Sequence, residues 1–134
     1  MITEDYVSFE VAKLLKEKGF NSDSKAYYIM YADGTHKFYI SQAYPLGFDY
    51  NNNEEFEVSA PTHQMAMKWL REAKGIYITI GHGDYPSLKK HFFIPTIEDL
   101  ESVYGVDDEE VTQEFDTYEE ACEAAIKYCL ENLI

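Results

Sequence analysis

Apolar side chains recur at three- and four-residue steps most clearly near the C-terminal end of the chain. Eight residues follow this spacing: Tyr118, Ala121, Cys122, Ala125, Ile126, Cys129, Leu130 and Leu133. The spacing places them on one face of a helix, so it predicts a helix over residues 117–133. Thr117 and Glu120 have the T-x-x-E spacing of a capping box, in which each side chain satisfies a backbone N–H at the helix start.

Two further segments show the same helical spacing, over residues 8–18 and 62–74. Gly19 and Gly75 follow these segments and can supply the left-handed conformation that ends a helix. Pro61 precedes the second segment, where the first turn of a helix tolerates proline. The first of these helices is expected to bury four apolar side chains, Val7, Val11, Leu14 and Leu15.

Two segments rich in β-branched and aromatic residues, 27–32 and 35–41, flank Asp33-Gly34. This dipeptide favours the positive φ angles of a two-residue hairpin turn, so we expect the segments to pair as antiparallel strands. Alternation along the strands then separates two faces. The expected core face carries Tyr27, Ile29, Tyr31, His36, Phe38 and Ile40, and the expected outer face carries Tyr28, Met30, Ala32, Thr35, Lys37 and Tyr39.

A second hairpin is expected from residues 76–80 and 91–95, joined by a loop over residues 81–90. Its first strand points Ile76, Ile78 and Ile80 to one side. The resulting order is helix, strand, strand, helix, strand, strand, helix. This order predicts an α+β fold, with one antiparallel sheet of about four strands and three helices. A chain of 134 residues is expected to form a single globular domain, over residues 1–134.

Two segments lie outside this scheme. Residues 42–57 are rich in turn-forming residues and long for a plain connection, which indicates a binding loop, an extra short strand or disorder. Residues 95–115 carry apolar side chains with the spacing of a short helix before Gly105, namely Ile97, Leu100, Val103 and Tyr104.

The composition favours a folded protein outside the membrane. Hydrophobic residues make up 46% of the chain and aromatic residues 16%, whereas disordered chains are poor in both. No apolar run approaches the ~18 residues of a membrane span. The N-terminus is acidic, where a secretory signal would be basic and then apolar. We therefore expect a cytoplasmic protein with no membrane partner.

Acidic residues are concentrated in one quarter of the chain. Residues 91–126 contain twelve Asp and Glu and no Lys or Arg, whereas residues 1–90 contain twelve acidic and ten basic residues. Phosphates need cationic partners, so direct binding of nucleic acid is not expected. The densest run is either a solvated surface that keeps the protein soluble or a patch that binds a basic protein surface. This run is Asp107, Asp108, Glu109 and Glu110.

The segment that most resembles a catalytic or metal-binding motif is 81–84, Gly-His-Gly-Asp. A histidine and an aspartate two residues apart can bind a metal or relay a proton. The chain has no HExxH, CxxC, GxSxG or phosphate-binding glycine motif, so a plain hairpin loop is the simpler interpretation. His82 and Asp84 are weak metal candidates and make only half a site, which His36, His63 or His91 would have to complete. No catalytic residue, metal or cofactor is predicted.

The two cysteines, Cys122 and Cys129, lie seven residues apart on the apolar side of the last predicted helix. Seven residues rise about 10 Å along a helix, which exceeds the ~7 Å limit on the Cα separation of a disulfide. We therefore expect two buried thiols that do not pair with each other.

Twelve tyrosines are more than a core of this size requires. Tyr28, Tyr39 and Tyr77 fall on strand faces that are expected to point outward. Exposed tyrosines favour recognition, because each gives a large, rigid contact area together with a hydroxyl. The alternatives are a helix that covers this face, or a second copy that forms a homodimer across it.

Residues 6–20, 60–72 and 118–134 carry a resemblance to a known group of proteins. These segments resemble small acidic proteins of gut Bacteroidetes and of their phages and mobile elements. Their sequences are YVSFEVAKLLKEKGF, APTHQMAMKWLRE and YEEACEAAIKYCLENLI. The resemblance covers the three predicted helices and implies no activity. It implies a cytosolic bacterial protein, in a phage or mobile-element setting.

These features lead to three hypotheses about function. The first is a non-catalytic protein-interaction module that binds a basic protein surface through its tyrosines and its acidic segment. The second is a DNA mimic that inhibits a nucleic-acid-binding enzyme. The third is a small metal-dependent hydrolase centred on His82 and Asp84. Salt should weaken binding through the acidic segment, whereas a chelator should inactivate a metal site.

Overall fold

The computed structural model describes residues 2–100 and 105–134. The chain divides into two compact units, Met1–Ala66 and Met67–Ile134. Each unit has its own antiparallel sheet, of three strands in the first and two in the second.

The first unit contains one complete helix and three strands: α1 (Phe9–Glu17), β1 (Ala26–Met30), β2 (His36–Ile40) and β3 (Glu57–Ser59). The Oγ atom of Ser8 accepts a hydrogen bond from the N–H of Val11 at 3.2 Å and so caps α1. Gly19 ends the helix with a φ of +93°, as predicted. The sheet order is β2-β1-β3, and α1 packs against β3. Fully buried side chains of this unit include Val7, Val11, Leu15, Phe20 and Val58.

The first hairpin is paired one residue away from the predicted register. Tyr28 lies opposite Phe38, and the connection has three residues, 32–34. The N–H of Tyr31 donates to the carbonyl oxygen of Thr35 at 2.8 Å and closes the loop. Gly34 has a φ of +87°, which is the left-handed position of a three-residue hairpin loop.

This shift changes which residues share a face, because successive side chains of a strand point to opposite sides. The predicted core and outer faces are therefore wrong. One face carries Tyr27, Ile29, Tyr31, Lys37 and Tyr39, and the other carries Tyr28, Met30, His36, Phe38 and Ile40.

The helix α2 (His63–Lys74) begins in the first unit and continues into the second. The hydroxyl of Thr62 accepts a hydrogen bond from the N–H of Met65 at 3.2 Å, so Thr62 caps the helix start. Gly75 follows with a φ of +68° and ends the helix, as predicted.

The second unit contains a long hairpin, β4 (Ile76–Tyr85) and β5 (Lys90–Asp99), and the helix α3 (Tyr118–Asn132). The hydroxyl of Thr117 accepts from the N–H of Glu120 at 3.1 Å and caps α3, which packs on both strands. Fully buried side chains of this unit include Ile97, Val111, Cys122, Ile126 and Leu130.

The predicted loop over residues 81–90 is wrong for residues 81–85, which continue β4. The turn is shorter and contains Pro86–Leu88. Gly83 is compatible with this strand because the ring of Phe92 covers it, with one ring atom 2.5 Å from where a Cβ would lie. Cross-strand packing thus compensates for the missing side chain.

The α+β class, the three helices and the antiparallel pairing are confirmed. The strands belong to two sheets rather than one. β3 occupies the second edge of β1, and a bridge from Phe115 occupies the second edge of β5 at Phe93. β3 is the extra short strand at the end of the turn-rich segment.

The predicted short helix before Gly105 is wrong at Ile97, which is buried in β5. Val103 and Tyr104 lie outside the described residues. Across 2–100 and 105–134, none of the helices combines the length and the apolar character that a membrane crossing needs.

Candidate functional site

The acidic segment before α3 folds into a single helical turn. The carbonyl oxygen of Asp108 accepts hydrogen bonds from the N–H groups of Val111, at 3.0 Å, and Thr112, at 2.9 Å. The Val111 side chain is buried, so it anchors the turn to the core of the second unit. The backbone that carries these carboxylates is therefore held in one conformation.

Asp108 contributes its side chain to this structure. One carboxylate oxygen accepts from the N–H of Glu110 at 2.9 Å, and the other accepts from the hydroxyl of Tyr128 at 3.1 Å. Burial and the Asp108 carboxylate raise the pKa of Tyr128, because both favour the neutral phenol. Asp108 thus joins the turn to α3, and each of its carboxylate oxygens already accepts a hydrogen bond within the fold.

The neighbouring carboxylates point into solvent. Asp107, Glu109 and Glu110 are exposed, and no Lys or Arg of the described chain lies within 4.0 Å of their carboxylates. Glu114 is also exposed, and it accepts a short hydrogen bond from the hydroxyl of Tyr85. That bond raises the pKa of Tyr85. We call Asp107, Glu109, Glu110 and Glu114 the acidic turn.

One lysine comes close to the acidic segment from another element. Lys90 on β5 lies 3.4 Å from the carboxylate of Asp116, and both side chains are largely exposed. An exposed pair of this kind contributes little energy. It neutralises the end of the segment next to α3 and leaves the acidic turn without a cationic partner among the described residues.

Of the three tyrosines that were expected to point outward, Tyr28 and Tyr39 do not share a face. Tyr28 lies on the opposite face of the hairpin from Tyr39, and its hydroxyl donates to the carbonyl oxygen of Val7 at 2.8 Å. The ring of Phe9 packs edge-on against Tyr28. Tyr77 is exposed, but it belongs to the second unit. The prediction of an outward-facing Tyr28 is therefore wrong, because it depended on the two-residue turn.

Tyr39 belongs to a row of stacked aromatic rings. Its ring stacks on Tyr27 with centroids 5.5 Å apart, and Tyr27 stacks on Tyr50 at 4.2 Å. The hydroxyls of Tyr31 and Tyr39 lie 2.9 Å apart, and this hydrogen bond raises the pKa of Tyr31. The row stabilises the sheet face, since stacked aromatic pairs add to the energy of burial.

His82 and Asp84 lie on the same side of β4, near the end of the long hairpin. Asp84 is directly opposite His91, and their side chains form a short contact. The rings of His82 and His91 stack with centroids 5.3 Å apart. The sequence offered only His36, His63 and His91 to complete a site at His82 and Asp84, and the strand register places His91 opposite Asp84.

This cluster lies beside a shallow depression of about 290 Å³. Asp84 can orient the imidazole of His91, as carboxylates do for catalytic histidines, but all three side chains are exposed to water. In the described ranges no group of three or more His, Cys, Asp or Glu side chains is placed to hold a metal ion.

The cysteines are buried in α3, as predicted. Burial raises the pKa of the Cys129 thiol to about 12, so this group is protonated at neutral pH and is a weak nucleophile.

A scan with protein-family models, a search of curated proteins and a search of solved structures find no match to this chain. The geometry of its side chains is therefore what bears on function.

Proposed function

We propose that this chain is a non-catalytic, cytoplasmic interaction module whose acidic turn binds a lysine- and arginine-rich surface of another protein. The observation that carries the proposal is the exposure of Asp107, Glu109 and Glu110 without a cationic partner in the described chain. A phage or mobile-element setting in a bacterium belongs to the same proposal, on the strength of the resemblance in the three helices.

The fixed backbone of the acidic turn supports this function. Asp108 and the buried Val111 hold the turn before any partner arrives, so binding needs little ordering of the chain. Unpaired carboxylates also attract a basic surface over about 10 Å at moderate salt. A surface of this kind gives fast association and a strong dependence on ionic strength.

The DNA-mimic hypothesis is this proposal with a particular partner, a DNA-binding enzyme. It additionally requires that this chain compete with DNA for binding to the enzyme, since both would occupy the same basic surface.

The hydrolase hypothesis has the contact between Asp84 and His91 in its favour. It has less support, because that pair is exposed at the end of a hairpin rather than enclosed in a pocket.

The proposal can be tested with a fluorescein-labelled peptide of alternating lysine and arginine as the probe. Binding is followed by fluorescence anisotropy at about 50 mM and about 300 mM NaCl. The test variant neutralises the acidic turn: Asp107→Asn, Glu109→Gln, Glu110→Gln and Glu114→Gln. The matched control removes the same four charges from exposed positions of the first unit: Asp5→Asn, Glu17→Gln, Glu54→Gln and Glu55→Gln.

We expect the test variant to bind the peptide about ten-fold more weakly at the lower salt concentration, and the control variant to bind nearly as the unmodified protein does. Binding of the unmodified protein should fall steeply at the higher salt concentration. Equal weakening in both variants would mean that net charge alone attracts the peptide, and the acidic turn would then not be a binding site.

A further inference from the structure

β2 forms one edge of the first sheet, whose order is β2-β1-β3. Two hydrogen bonds at the ends of the hairpin show which residues of β2 direct their backbone N–H and C=O groups towards β1. The N–H of Tyr31 donates to Thr35, and the N–H of Ser41 donates to Lys25, each at 2.8 Å. Because bonded and non-bonded pairs alternate in an antiparallel ladder, residues 37 and 39 face β1. The N–H and C=O groups of His36, Phe38 and Ile40 therefore point away from the sheet.

This edge is apolar and bears little charge. The side chains of Phe38 and Ile40 are 42% and 50% exposed, and Lys37 is the one charged residue of β2 apart from the ionisable His36. Proteins usually protect an open edge with several charges, a proline, a bulge or a covering element. Within 2–100 and 105–134, no other strand pairs with the outer side of β2.

We propose that β2 pairs antiparallel with β2 of a second copy of this chain, centred on Phe38. This register places Phe38 opposite Phe38 of the second copy and His36 opposite Ile40. All three outward-pointing residues then form hydrogen-bonded pairs, and the two sheets join into one of six strands. Lys37 lies opposite Tyr39 rather than opposite another lysine, so directly facing like charges are avoided.

The charge distribution favours this edge over that of β4, which also lies at the edge of its sheet. Residues 26–41, which contain the first hairpin, hold one acid, Asp33, and one base, Lys37. Residues 1–66 hold ten acidic and five basic residues, a net charge of −5, and residues 67–134 hold fifteen and six, a net charge of −9. The first hairpin is therefore neutral and lies in the less acidic unit, so pairing two copies there brings little like charge together.

A pairing of two five-residue strands buries less than the ~1,600 Å² of a stable interface, so we expect a weak dimer that forms only at high protein concentration. The inference does not depend on the acidic turn, which belongs to the other unit.

Sedimentation equilibrium over a range of protein concentrations tests the pairing. The unmodified chain should move from the 15.6 kDa monomer towards twice that mass as its concentration rises. Phe38→Lys places two lysines directly opposite each other and should weaken the dimer at least about ten-fold. Leu46→Lys is the matched control, because Leu46 is 93% exposed in the same unit, outside the strands, and the change in charge is the same.

A second variant tests the register without adding charge. Phe38→Cys should form a disulfide-linked dimer on mild oxidation, because directly opposed residues of a bonded pair have Cα atoms about 5.5 Å apart. Leu46→Cys should not. The native cysteines are buried and do not compete. A monomer at every concentration up to about 1 mM, or equal behaviour of the variants at positions 38 and 46, would overturn the inference.

Discussion

Neighbouring acidic residues of this chain have different roles, although the sequence presents them as one run. Asp108 accepts hydrogen bonds from Glu110 and Tyr128 and stabilises the fold. Asp107 and Glu109, on either side, are exposed. The difference arises because a helical turn aims successive side chains in different directions. Asp108 is the one that points back at the turn and α3.

We expect Asp108→Ala to lower the free energy of unfolding by about 1–2 kcal/mol, because the Glu110 N–H and the Tyr128 hydroxyl lose their acceptor. Asp107→Ala is the control and should change it by less than about 0.5 kcal/mol. Urea denaturation followed by circular dichroism measures both. In a Tyr128→Phe background, Asp108→Ala should cost less than it does alone. Equal effects of the changes at 107 and 108 would contradict the structural role of Asp108.

At the scale of elements, the first hairpin shows how a local turn controls a whole surface. The carboxylate of Asp33 accepts hydrogen bonds from the N–H of Thr35, at 3.0 Å, and from its hydroxyl, at 2.6 Å. These bonds lower the pKa of Asp33. They also favour a three-residue loop over the two-residue turn that Asp-Gly alone suggests, and this choice moves Tyr28 and Tyr39 to opposite faces.

Gly34→Ala tests this loop. The replacement should lower the free energy of unfolding by about 1 kcal/mol, because Gly34 has a φ of +87° while no other atom lies within 4 Å of the added Cβ. The expected loss of stability therefore comes from the backbone conformation and not from a steric clash. Gly81→Ala is the control, since its Cβ would make only an ordinary contact at 3.6 Å with the carbonyl oxygen of Ile94. Thermal unfolding of both variants measures the difference, and equal melting temperatures would contradict the left-handed assignment at residue 34.

At the scale of the whole molecule, the net charge of −14 is the dominant electrostatic feature. Like charges that are brought together on folding repel each other and destabilise the compact state. The two units differ in this respect, since their net charges are −5 and −9. The proposed interactions follow this division: the more acidic unit binds a basic partner, and the less acidic unit pairs with a second copy.

We expect the melting temperature to rise by roughly 4 °C between about 20 mM and 500 mM NaCl, because salt screens this repulsion. The variant with the neutralised acidic turn should show a smaller rise. Near pH 4.5, the isoelectric point of the sequence, the rise should nearly disappear, because the net charge is small there. Differential scanning calorimetry measures all three cases. A melting temperature that is independent of salt at pH 7 would show that repulsion does not limit the stability of this chain.

The sequence alone determined the three helices, the Thr117 cap of the last helix, the glycine stops of the first two and the α+β class. These features depend on residue spacing, caps and glycine stops within a few residues, as at Thr117 and Gly19. The local sequence is therefore sufficient to predict them. The burial of Cys122 and Cys129 followed in the same way from their helical face.

Three features depended on long-range contacts: the hairpin register, the division of the strands into two sheets and the pairing of Asp84 with His91. A shift of one residue reverses the faces of a strand at little local cost, so only packing against other elements selects the register. The same holds for the acidic run, where the hydroxyl of Tyr128, twenty residues away, distinguishes Asp108 from its exposed neighbours.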